Sequence, residues 1–200
     1  MADKPLHILQ RDARSVLHKR EELASVLQRE DIDIVALCET HLKANKNYYL
    51  PGYTVIRLDR IGPKGGGVAI ALKNNVKFRC LPYYRTNIIE AIGVEIEHVS
   101  GRLDIISAYC HRQCTLESKI IFQNVLIKLT RTNRKYIIAG DLNAKHRSWG
   151  DQCNNTNGDL LFKNSQTGHF TICAPAEPTF LSRSGVHSTL DQHLRNCNPH

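Results

Sequence analysis

The chain has 200 residues, 42 % apolar and 23 % charged, a balance that suits one folded core and excludes a fibre or a disordered chain. No apolar run approaches the roughly 20 residues of a membrane-spanning helix, and the polar start MADKPLHILQ is not a signal peptide, so a nuclear or cytoplasmic, intracellular protein is expected. The formal net charge of +8 favours polyanionic partners, with basic residues dispersed in short groups such as His18-Lys19-Arg20 and Lys145-His146-Arg147.

Leu6 to Gln10 alternates and predicts a short strand. Residues 19–30 place Leu23, Val26 and Leu27 at helical spacing, so a helix follows. Asp33 to Cys38 is a nearly unbroken apolar run, typical of a strand buried on both faces, and Glu39 stands where that strand emerges. Five β-rich stretches come next, at 53–59, 65–73, 77–84, 88–98 and 102–110, separated by turn signals such as Asn74-Asn75 and Ser100-Gly101. Leu116 to Leu129 returns to helical spacing through Ile120, Ile121 and Val125. Tyr136 to Ala139 is a second buried strand and runs into Gly140-Asp141. A short helix around 158–164, a strand in Phe170 to Cys173 and another at 188–195 close the chain. Strands outnumber helices and neighbours can pair as meanders. The expected fold class is therefore α/β (α+β), a four-layer sandwich of two packed mixed β-sheets flanked by helices, in one domain.

The seven cysteines are odd in number and mostly sit in apolar runs, which predicts reduced, buried thiols and no disulfide framework. Cys110 and Cys114, with His111 between them, come nearest to a zinc motif. No regular second pair follows, so chance placement is the better reading.

Three acidic or amide residues stand at strand ends: Glu39, then Asp141 and Asn143. A hard cation such as Mg²⁺ needs a few carboxylate oxygens plus water. It can polarise a phosphoryl oxygen while a second carboxylate deprotonates the attacking water. Singly, each has an ordinary explanation: a turn cap for Glu39 with Thr40, an Asx turn for Asp141. Their conjunction carries the signal.

CETHL at 38–42, GGGVAIALK at 65–73, AGDLNAKHRSWG at 139–150, PTF at 178–180 and STLD at 188–191 occur in that order. Together they resemble the exonuclease–endonuclease–phosphatase superfamily, and in wording most closely the endonuclease domains of jockey-like non-LTR retrotransposons. The resemblance implies a single endonuclease/exonuclease/phosphatase-like domain over residues 1–200. It implies Mg²⁺ or Mn²⁺ on Glu39, water activation by Asp141, and contacts to the phosphate from Asn143 and Tyr109. Asp191 matches the acid paired with a closing histidine, and Thr179 and Ser188 match polar positions at the rim. The implied reaction is in-line attack of water on a DNA phosphodiester, leaving a 3′-hydroxyl that primes reverse transcription. The implied partners are DNA and a reverse transcriptase domain of the same polyprotein, with the domain a monomer and no membrane involved.

The sequence departs from that family in three places. Arg11-Asp12 replaces a tryptophan-asparagine pair. Asp12 can still ligate Mg²⁺, but two unit charges at 4 Å interact by ~4 kcal/mol at an effective dielectric of 20, so phosphate affinity is expected to fall and decay of the position is the preferred reading. After Tyr109 a proline turn gives way to Cys110-His111-Arg112-Gln113, where an exposed turn histidine is expected. The chain reaches Asn198-Pro199-His200 without the closing strand and its serine-aspartate-histidine. A C-terminal truncation, an unpaired sheet edge and impaired activity are the expectation. The alternatives are a catalytically inactive DNA-binding remnant and a phosphoesterase of the same fold with another substrate.

Overall fold

Period-two alternation sorts the strand residues between separate interiors. In chain order the elements are β1 (Ile8–Asp12), α1 (Arg20–Arg29), β2 (Ile34–Cys38), β3 (Tyr53–Leu58), β4 (Val68–Lys73), β5 (Phe78–Cys80), β6 (Tyr84–Arg85), β7 (Ile89–His98) and β8 (Gly101–Cys110). They continue with α2 (Leu116–Thr130), β9 (Lys135–Asp141), α3 (Thr156–Ser165), β10 (Thr171–Cys173), β11 (Phe180–Leu181), β12 (His187–Ser188) and β13 (Asp191–Arg195). The structure, a computed structural model, describes residues 5–61, 65–98, 101–111, 115–168, 170–174, 180–181, 187–188 and 191–196.

Two mixed sheets form, as expected. The smaller has four strands in the order β1-β2-β4-β3, with β1 and β2 parallel and the other pairs antiparallel. The larger has seven, in the order β10-β13-β9-β8-β7-β5 with β6 also on β7, and its β8/β9 pair is parallel. In β2, Val35 and Leu37 face α1 residues Leu23 and Leu27, whereas Ile34 and Cys38 face the other sheet. In β8, Ile105 and Tyr109 meet the smaller sheet, and Ile106, Ala108 and Cys110 pack under Phe122, Val125 and Leu126 of α2. The layers are thus helix, sheet, sheet, helix, with each fully buried Leu or Ile stabilising by about 1.5–3 kcal/mol.

Local chemistry sets the helix starts. Thr115 and Ser118 form a reciprocal capping box before α2, and the Asn155 side chain accepts from Gly158 N at the start of α3. Gly140 in β9 is required by space, because a Cβ there would lie 1.8 Å from the Ala108 carbonyl oxygen.

Several expectations need correction. The stretch 77–84 is not one strand: Leu81, Pro82 and Tyr83 interrupt it, since proline cannot donate to the ladder. The strand expected at 188–195 divides into β12, which pairs with β11, and β13, which lies between β9 and β10. The last helix begins at Thr156, earlier than expected, because Asn155 caps it. Cys38 and Cys110 are buried thiols, but Cys80, at the end of the short edge strand β5, and Cys153, in the loop before α3, are exposed. Cys114, Thr179 and the closing residues 197–200, where the truncation was expected, lie outside the described residues.

Candidate active site

Parallel pairing brings the strand ends together. In register, Asp12 at the end of β1 stands beside Cys38 at the end of β2, and Tyr109 of β8 stands beside Asp141 of β9. The backbone of Asp191 starts β13 directly opposite Asp141. The sheets are joined at this edge: Cys38 Sγ donates to the Ala108 carbonyl at 3.2 Å, and Ser107 Oγ to the Leu37 carbonyl at 3.0 Å. Glu39 therefore leaves one sheet just where Tyr109 leaves the other, and the Tyr109 hydroxyl donates to Glu39 Oε1.

The residues leaving these strands are bent sharply. Arg14, Ser15, Glu39, His41 and Asn143 all have left-handed φ, between +41° and +80°, and they are five of the six such non-glycine residues among those described. Each costs on the order of 1–3 kcal/mol and persists only where the surroundings hold it. Holding bonds are present. Ala13 N and Ser15 N donate to the Cys38 and Glu39 carbonyls at 2.9 Å, and Asn143 N donates to Asp141 Oδ1 at 2.7 Å.

Tyr109, Asp141 and Asn143 are nearly buried, whereas the Glu39 side chain keeps 23 % of its surface open. Burial, then the hydrogen bond and charge of Glu39, then the charges of Asp141 and Asp12 push the Tyr109 phenol well above its ordinary range. Three carboxylates thus act on one hydroxyl, which stays protonated. Asn143 Nδ2 donates to the Cys110 carbonyl at 2.7 Å, which fixes its amide plane. His41 Nε2 lies 3.7 Å from Glu39 Oε2. Asp12 lies 3.3 Å from the Arg14 guanidinium, which offsets part of its added charge, and Arg11 turns away to Glu22 of α1 at 2.6 Å.

These donors fit a hard divalent cation. Glu39 accepts from the Tyr109 hydroxyl and is partly open to solvent, and the charges of Asp141 and Asp12 also act on that phenol. Among the described residues no three His, Cys, Asp or Glu side chains close into a ready-made cage. Mg²⁺ does not need one, because it keeps several waters and takes one or two carboxylates. A cleft of about 660 Å³ lies elsewhere, between Trp149, Phe162 and Phe170, and contains none of these acids.

His111 is not the exposed turn residue expected. It is partly buried, edge-on to Tyr109 with centroids 4.6 Å apart, and burial followed by the Arg60 charge pulls its pKa down to about 4, against the opposing pull of Glu39. In the motif after Asn143, His146 stacks on Phe162 at 4.4 Å and Trp149 Nε1 donates to the Ala144 carbonyl at 3.0 Å. The His146 ring pins the loop to α3, and the Trp149 bond closes the loop on itself. The sequence reading missed Glu90, a buried carboxylate beneath the glycine turn, although a lone acid near the start of an apolar strand was a visible signal.

The chain is a two-sheet α/β sandwich with acids, an amide and a phenol over its joined strand ends. Residues 7–194 match the Endonuclease/Exonuclease/phosphatase family, and the chain belongs to that family. It is 29 % identical over 175 residues to the RNA-directed DNA polymerase from mobile element jockey of Drosophila melanogaster, an alignment covering 86 % of this chain and 18 % of that protein. The jockey polymerase of Drosophila funebris is 26 % identical over 171 residues, covering 84 % and 18 %. The chain therefore spans less than a fifth of the length of these relatives. The endonuclease domain of TRAS1, a telomere-specific non-LTR retrotransposon, shares the fold with a TM-score of 0.71 at 23 % identity, covering 96 % of this chain and 85 % of that one.

Proposed function

We propose that this domain is a divalent-cation-dependent DNA endonuclease that nicks one strand by in-line attack of water and leaves a 3′-hydroxyl. The observation that carries this reading is the meeting of Glu39, Tyr109, Asp141 and Asn143 where the two sheets are joined. Glu39, with Asp12 beside it, holds Mg²⁺ or Mn²⁺, and the cation supplies charge stabilisation at the phosphoryl group. Asp141 takes the proton of the attacking water. Asn143 directs its second amide hydrogen to a phosphate oxygen, and the unionised Tyr109, its one hydroxyl hydrogen held by Glu39, stands beside the phosphate. The backbone of Asp191 stands opposite Asp141, and by resemblance its carboxylate is the acid that pairs with a closing histidine. The Asp12 carboxylate leaves turnover low, because it adds negative charge beside a phosphate already facing Glu39 and Asp141. In the larger protein the 3′-hydroxyl primes a reverse transcriptase carried on the same polypeptide.

Supercoiled plasmid incubated with Mg²⁺ tests this directly. Nicked circles are expected with the unaltered chain, and Asp141→Ala is expected to lower the rate by about 10²–10⁴-fold, the ordinary contribution of a positioned acid or base. Nicking no greater than that of Asp141→Ala would leave a DNA-binding remnant, and release of phosphate from small phosphoesters in its place would identify a different substrate class.

A further inference from the structure

Glu90 lies in β7 between apolar neighbours and is 1 % exposed. A carboxylate in that position requires partners. Its Oε2 accepts the Gly67 amide at 2.7 Å; burial raises its pKa, against the opposing pulls of that hydrogen bond and of the Arg60 and Arg85 charges. Gly66 and Gly67 occupy left-handed φ of +75° and +83°, and neither has room for a side chain. A Cβ on Gly66 would lie 2.8 Å from Glu90 Oε2, and one on Gly67 would lie 2.5 Å from Thr40 Oγ1. The carbonyls of the same turn hold the residues after Glu39: Thr40 N donates to Gly67 O at 3.2 Å, and His41 N to Gly66 O at 3.0 Å. In register, Glu90 stands directly opposite Tyr109, whose hydroxyl donates to Glu39. Paired residues on β7 and β8 therefore grip Glu39 at two points. Tyr109 holds the carboxylate, and Glu90 holds the backbone through the glycine turn.

We propose that Glu90 is a positioning residue for the cation ligand Glu39, acting through the Gly66-Gly67 turn, an inference that rests on the cation-binding reading above. Glu39 and His41 have strained left-handed backbones, at φ +49° and +53°, that persist only while neighbouring bonds hold them. Without an acceptor at position 90 the Gly67 N–H is left unpaired in the interior and the turn is released. Partners that orient metal ligands in this way typically contribute about 10–100-fold to metal affinity.

The test is Mn²⁺ binding to the full chain, followed by electron paramagnetic resonance, with thermal unfolding recorded on the same samples. Glu90→Gln keeps an acceptor for Gly67 and should bind Mn²⁺ within about threefold of the unaltered chain, well inside the range for a lost partner. Glu90→Met has a similar volume but no acceptor, and should bind roughly 10–100-fold more weakly at a temperature where it is folded. Equal affinity in Glu90→Met, or equal weakening in both variants, overturns the proposal. Amide hydrogen exchange on the unaltered chain needs no variant: the Gly67 amide should be protected like those of the core strands, and exchange at the rate of an open loop also overturns it. Glu39→Ala separates the two levels. If it abolishes Mn²⁺ binding while Glu90→Met does not weaken it, only the positioning role fails; if the unaltered chain takes up no Mn²⁺, the cation reading fails and the positioning role with it.

Discussion

At the scale of single residues, His111 shows how burial beside a cluster of charges becomes a pH dependence. Its ring meets Tyr109 edge-on, and burial first, then Arg60, lowers its pKa from 6.5 to about 4. The folded chain therefore holds the neutral ring where the unfolded chain would already have taken a proton. Stability linked to this histidine is fully present above about pH 6.5 and is lost as pH falls through the window down to about 4. His111→Gln should flatten that part of the profile. Melting temperatures of the two chains, measured from pH 7 to pH 4, should converge on acidification, and parallel curves would show that the ring is not responsible. Tyr109 moves in the opposite direction and remains a hydrogen-bond donor across the same window.

At the scale of elements, the start of α3 and the loop carrying Asn143 are one unit tied by Asn155. Its Oδ1 accepts from Gly158 N at 2.8 Å and from Lys145 N at 3.0 Å, while its Nδ2 donates to the Asn143 carbonyl at 2.8 Å. The helix is pressed onto the loop so closely that a Cβ on Gly158 would lie 1.8 Å from the Lys145 carbonyl oxygen. Asn155→Ala should cost about 1–2 kcal/mol from the lost cap alone, and nicking should fall because Asn143 loses its support. Urea unfolding and plasmid nicking measure the two effects. Asn155→Asp retains the acceptors for Gly158 and Lys145 but not the donor to Asn143, so it should recover more stability than activity. Recovery of both in equal measure would mean that the Asn143 bond does not matter.

At the scale of the whole molecule, the +8 net charge sets how the domain meets a polyanion. Each neutralised phosphate contributes about −0.9 to the slope of log affinity against log salt. A domain of this size contacting roughly four to six phosphates should therefore show a slope of about −4 to −5. Fluorescence anisotropy of labelled duplex DNA over a salt series measures it, and a slope near zero would refute binding through the basic surface. The carboxylates at the strand ends work against that attraction locally, so binding should strengthen when a divalent cation neutralises them.

What was legible in the sequence is what depends on near neighbours. The alternation of Ile34 to Cys38, the helical spacing from Leu116 to Leu129 and the acids directly after two apolar runs each express a local rule, and the two-sheet sandwich followed from them. The motif order carried the family, because it pairs those local signals with their sequence along the chain. The hold on Glu39 was decided only in three dimensions. Tyr109 reaches it across 70 positions of sequence, and Glu90 reaches the glycine turn across 23. No periodicity encodes such contacts, which exist only because parallel pairing ends β1 and β2 in one sheet, and β8 and β9 in the other, at one common edge. Burial of His111 is decided in the same way, by the packing of that edge and not by the polar turn from which it was read as exposed.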